Sequence, residues 1–100
     1  MKTHKALSLL GLAARSRNLI TGEELVVKGI QTGKVHFVII TTDASENTKK
    51  KLMNKSGFYD VPYKIIFERH ELGHAIGKES RVVVGITDYG FSKQLGRMLE

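Results

Sequence analysis

Val35–Thr41 reads VHFVIIT, an almost unbroken run of β-branched and aromatic residues. Such a run predicts a central strand covered on both faces. Upstream, Thr21–Lys34 reads TGEELVVKGIQTGK and predicts a helix, with Thr21 and Glu24 as a capping box and Gly33 closing it. Leu25, Val26 and Ile30 form its expected buried stripe, while Glu24, Lys28 and Gln31 fall outward. Further upstream, Ala6, Leu7, Leu10 and Ala14 recur at helical spacing, so a first helix is expected over about 5–15, followed by a short extended piece at 18–20. Downstream, Asp43 or Ser45 caps a helix ending near Gly57. Tyr63–Phe67 (YKIIF) is a second strand, 68–76 a short helix, and Arg81–Thr87 (RVVVGIT) a third strand. Asp88 then caps a last helix running to about Leu99. Strands alternating with helices predict an α/β domain: a three-layer α/β/α sandwich around a mixed, mostly parallel sheet of about four strands.

The chain of 100 residues suits one domain, 1–100, with one modest core. It has no cysteine, which excludes disulfides, thiolate metal sites and cysteine nucleophiles and suits a reducing compartment. Lys2 and Lys5 precede the apolar stretch Leu7–Ala14, but Arg15 and Arg17 follow at once, so the segment reads as a helix of the mature domain rather than a signal or membrane span. A cytoplasmic protein is expected. Sixteen Lys and Arg against ten Asp and Glu give a net charge of +6, which favours an anionic partner. The run Lys49–Lys51 with Lys55 crowds one helix and reads as a solvated, steering face.

His70–His74 spells HELGH, the H-E-x-x-H pattern in which two histidines one turn apart hold zinc and the glutamate acts as base. A catalytic zinc needs three protein ligands, and no histidine follows position 74. The short helix is also bounded by Gly77, and the chain leaves no room for a second lobe. No nucleophile elbow, G-x-G-x-x-G or P-loop occurs. No metal, no cofactor and no enzymatic activity are expected.

The helix entry at 21–28 admits two readings. Free N–H groups at a helix N-terminus beside Lys28 suit phosphate, whereas Glu24 and Lys28 equally suit a plain i,i+4 surface pair. Tyr59, Tyr63 and Tyr89 suit base stacking or rim packing.

Several separated segments in register resemble the kink-turn-binding ribosomal protein superfamily of the L-seven-Ae type, and its small bacterial YlxQ-type branch. They are LLGLAARSRNLITGEELVVKGIQTGK, VHFVIITTDASENTKKKL, VPYKIIF and ELGHAIGKESRVVVGITDYGFSKQL, nearly the full length. The resemblance implies a domain that binds a sharply bent RNA helix–internal loop–helix. A glycine, the following helix N-terminus and its lysine read the sheared G·A pairs, and a loop before the last strand closes over an extruded nucleotide. Gly22 matches that glycine and Lys28 the lysine six positions on, with Glu23 between them. The loop corresponds to Gly77, Lys78, Glu79, Ser80 and Arg81, and Asp43 matches an acidic residue near the basic helix. The family's Asn–Glu pair stands here as Glu24 and Leu25. Leu25 neither donates nor accepts a hydrogen bond, so one guanine-edge contact is lost at that position.

The expected function is therefore a non-enzymatic protein that binds structured, kink-turn-like RNA and is associated with the ribosome or translation. The alternatives are a protein-interaction module on the same fold and, third, a zinc hydrolase through HELGH. Arg15, Arg17, Lys28, Lys34, Lys78 and Arg81 are expected to form one basic edge. About four phosphate contacts there imply a log K against log salt slope of roughly −3 to −4.

Overall fold

The computed structural model describes residues 2–100; Met1, the first residue of the expected domain, lies outside the described residues. The elements are α1 (Lys2–Arg15), β1 (Leu19–Thr21), α2 (Glu23–Gln31), β2 (Phe37–Ile40), α3 (Glu46–Phe58), β3 (Tyr63–Ile65), α4 (Arg69–Ala75), β4 (Val83–Ile86) and α5 (Tyr89–Met98). Every expected element is present, with strands shorter than their apolar runs.

The two apolar faces of the sheet explain the layers. Phe37 and Ile39 of β2, with Val84 and Ile86 of β4, pack against Ala6 and Leu10 of α1, Leu72 of α4 and Leu95 of α5. Val38 and Ile40, on the alternate parity, pack with Val83 against Val26 and Ile30 of α2 and Leu52 of α3. Because β2 is buried at all four positions, its run shows no polar alternation. Removing one of these side chains from water contributes about 1.5–3 kcal/mol.

The strand order is β1-β4-β2-β3. Pairing is parallel between β2 and β3 and antiparallel at β4–β2 and β1–β4. The sheet is mixed as expected, but not mostly parallel. Only α3 serves as a crossover between neighbouring parallel strands; β4 inserts between β1 and β2 and runs against both, which the alternation of elements alone does not reveal.

Two local expectations are corrected and one open choice is resolved. Thr21 does not cap α2: it ends β1, and the N-cap is Gly22 at φ 96°, with no side-chain cap. Leu25 is not in the buried stripe but 60% exposed, because the positions one turn before Ile30 are Val26 and Val27. Ser45, not Asp43, caps α3, accepting from the Thr48 N–H.

Candidate nucleic-acid interface

The topology gathers four connections at one end of the sheet, here called the upper end. Chains leave there from β1, β2 and β3, and β4 enters there. In open α/β sheets ligands gather beyond the carboxyl ends of strands, and three of the four strands end here.

Backbone and side-chain bonds hold these connections together. The Gly22 N–H donates to the Val83 carbonyl (3.2 Å), and the Thr41 N–H to the Val82 carbonyl (2.9 Å). Arg81 is the clasp: its N–H donates to the Arg69 carbonyl (3.1 Å), its Nε to Thr21 Oγ1 (3.3 Å) and its Nη1 to the Ser80 carbonyl (2.6 Å). The loop between α4 and β4 is thereby fixed beside the first turn of α2. Gly73 of α4 supports it from behind: an added Cβ there would lie 2.5 Å from Ser80 Cα and 2.7 Å from Ser80 N, and the Lys78 N–H donates to the Gly73 carbonyl (2.8 Å).

Of the residues singled out in the sequence, Gly22, Glu24, Ser80 and Arg81 meet at this end, with Lys78 and Glu79 exposed on the loop. Lys28 stands exposed one and a half turns along α2, and neither it nor Glu24 forms an ion pair among the described residues. The plain Glu24–Lys28 pair is therefore not made. Glu23 is near the site but spoken for. It accepts from Thr48 Oγ1 (2.6 Å) and Lys51 Nζ (3.0 Å), tying α2 to α3; the Thr48 hydroxyl foremost, and then Lys51, hold its carboxyl below the ordinary value. Asp43 is likewise engaged. It accepts from the Arg69 N–H (3.2 Å) and Nε (3.2 Å), while Arg69 Nη2 donates to the Asp43 carbonyl (2.7 Å). Through Arg69, whose carbonyl receives the Arg81 N–H, Asp43 positions the loop.

Lys34 does not belong to this end. It follows the C-terminus of α2, about 13 Å of helix away from Gly22. Arg17 is also remote, because Asn18 pairs with Thr87 past the far end of β4. The six cations expected along one edge are thus divided between two ends of the sheet. Arg69 is a participant that sequence reasoning missed, and Thr21, expected as a helix cap, instead ends β1 and accepts from Arg81; each opens or closes an element, where periodicity carries no signal.

The HELGH segment has its own structural explanation. Glu71 is the N3 residue of a capping box, its Oε1 accepting from the Glu68 N–H (3.0 Å). Among the described residues no group of three His, Asp or Glu side chains could hold a metal ion, and no helix is long and apolar enough to cross a membrane.

The description of the ribosomal protein L7Ae/L30e/S12e/Gadd45 family matches residues 4–96. The chain belongs to that family. It is a YlxQ-type member: it is 49% identical to the RNA-binding protein YlxQ of Bacillus subtilis (strain 168) over 92 residues, 92% of each chain. A solved structure of a Bacillus halodurans C protein of unknown function is similar at TM-score 0.94 and 55% identity, covering 95% of this chain and 96% of that one. A Giardia lamblia 15.5kD RNA binding protein shares the fold at TM-score 0.84 and 22% identity, covering 98% of this chain and 84% of its own.

Proposed function

We propose that the upper end binds structured RNA of the kink-turn type, and that the protein acts by binding alone, in association with the ribosome or translation in the cytoplasm. The observation that carries this reading is the clasp of Arg81 on Thr21, which sets a basic loop beside the uncapped N-terminus of α2 in a relative of a named RNA-binding protein.

The residues divide the work by chemistry. The first N–H groups of α2 face outward without a side-chain cap, ready for a phosphate or a base-edge acceptor. Lys28 and Lys78 supply exposed charge for phosphate, and Arg81 adds guanidinium N–H groups already oriented by Ser80 and Thr21. Glu24 accepts from a base amino group. Exposed Leu25, where the family carries a hydrogen-bonding side chain, packs against a sugar or an unstacked base. Glu23 and Asp43 hold the scaffold rather than the RNA, and Lys34 lies outside the site.

A salt-titrated binding comparison tests this. It uses a kink-turn RNA, the same RNA with its G·A pairs replaced by Watson–Crick pairs, and a plain duplex of equal length. The proposal expects at least a tenfold preference for the kink-turn, about 1.4 kcal/mol. Equal affinity for all three would overturn it.

A further inference from the structure

Away from the upper end, one more surface combines exposed aromatic rings with lysines. Phe58, at the end of α3, is 79% exposed, and its ring stands edge-on to that of Tyr59, with centroids 5.0 Å apart. Together with Lys51, Asn54 and Lys55 these two rings wall a hollow of about 390 Å³. Tyr63, 40% exposed, lies on the edge strand β3 and shares the parity of Ile65, which packs with Leu52 of α3; its ring therefore projects on the α3 face.

Helical spacing aligns this surface. Asn54 lies four residues after Lys50, Lys55 four after Lys51, and Phe58 four after Asn54 and three after Lys55, so the five form one outward stripe. Its last acidic residue before Asp60 is Glu46, at the start of the helix. Lys51 is engaged by Glu23, whereas Lys50 and Lys55 have no ion pair among the described residues. That same Glu23–Lys51 bond joins the head of the stripe to the first turn of α2, so the track begins at the upper end and descends to the aromatic pair. Rings on which bases stack, interleaved with lysines for the backbone, are the sequence-tolerant way to hold an unpaired strand.

We propose that the α3 face binds single-stranded RNA, with the phosphates on Lys50 and Lys55 and a base stacked on the Phe58 ring with its edge against Tyr59. The proposal shares with the proposed function only the premise that the ligand is RNA. A strand flanking a structured element at the upper end would pass onto this track.

Binding of a fluorescein-labelled octauridylate, which has no structure of its own, is followed by anisotropy for the wild type, Phe58→Ala, Phe58→Trp and the upper-end variant Lys28→Ala/Arg81→Ala. Phe58→Ala is expected to weaken binding about tenfold. Phe58→Trp is expected to retain it and, in a chain with no other tryptophan, to lose emission as the base stacks. The upper-end variant is expected to bind the octauridylate as the wild type does. No binding by the wild type, unchanged affinity in Phe58→Ala, or loss of binding in the upper-end variant would overturn the proposal, and the first two would leave the aromatic face to a protein partner. Phe58 buries little, so its truncation leaves the core intact; equal melting temperatures check this.

Discussion

Gly73→Ala is the most revealing single change, because Gly73 is where α4 touches the back of the binding loop. Its added Cβ would lie 2.5 Å from Ser80 Cα, 2.7 Å from Ser80 N and 2.9 Å from Glu79 C. All three are backbone atoms, which no rotamer change can move aside. Ordinary carbon contacts lie at about 3.5–4.0 Å, so the loop must retreat by about 1 Å. Overpacking of this kind costs about 1–3 kcal/mol. Alanine in place of glycine inside a helix returns about 1 kcal/mol. The balance is a loss of roughly 1 kcal/mol, or about 4–8 °C in Tm for a chain of this size. RNA binding should suffer more than stability, since the retreat pulls Ser80 and Arg81 away from Thr21 and the α2 N-terminus. Thermal unfolding and kink-turn RNA affinity, measured on one preparation, should show that modest Tm loss with at least a tenfold drop in affinity. An unchanged or higher Tm with unchanged affinity would refute the reasoning, because the loop would then not depend on that contact.

Other outcomes follow from the same geometry. Lys28→Ala should weaken RNA binding and flatten the log K against log salt slope by nearly one, from a wild-type value of about −2 to −3 for the three cations Lys28, Lys78 and Arg81; Lys34→Ala should leave affinity for a tail-free kink-turn RNA unchanged. Gly22→Ala meets no steric obstacle but forces alanine to φ 96°, so urea unfolding should register a loss of about 1–3 kcal/mol. Glu23→Gln tests the tie between α2 and α3: since the folded Glu23 carboxyl sits below its ordinary 4.5, its contribution is complete above that pH and fades as the pH falls through the lower folded value. The unfolding free energies of wild type and Glu23→Gln from urea titration should therefore differ at pH 7, by at most about 1 kcal/mol, and converge as the pH falls through the lowered folded value. Glu24→Asn with Leu25→Glu restores the hydrogen-bonding pair at the family's base-reading positions and should raise the preference for kink-turn RNA over duplex in competition binding.

The fold was legible because the apolar pattern of each segment agreed with its end signals. VHFVIIT and RVVVGIT carry enough continuous apolar surface to demand cover on both faces, and Ser45, Asp88 and Gly33 mark helix ends by local chemistry that needs no tertiary context. The sheet order was not legible. Pairing of β4 between β1 and β2 depends on which edges meet across 40 or more residues, and no local pattern records that. The site was half legible for a related reason. Gly22 and the 77–81 loop, grouped by a resemblance in register, do lie at one end of the sheet with Lys28 along the same helix, whereas Lys34 stands only six residues past Lys28 and falls at the opposite end, because a helix carries the chain away along its axis. Leu25 was misassigned because it adjoins Val26 and Val27 in sequence, whereas burial follows the turn spacing from Ile30. Arg69, Thr48 and Lys51 matter through long-range hydrogen bonds, and long exposed polar side chains give no hint of their partners until the backbone is placed.

An amide chemical-shift titration with a kink-turn RNA closed by blunt helices, without single-stranded tails, tests the location of the site most directly. Perturbed amides should cluster at 21–28, 41–45 and 77–82, with Lys34, Arg17 and the Tyr89 end of the sheet unaffected. Perturbations concentrated at the opposite end, around Gly33–Phe37 and Tyr89–Arg97, would contradict it.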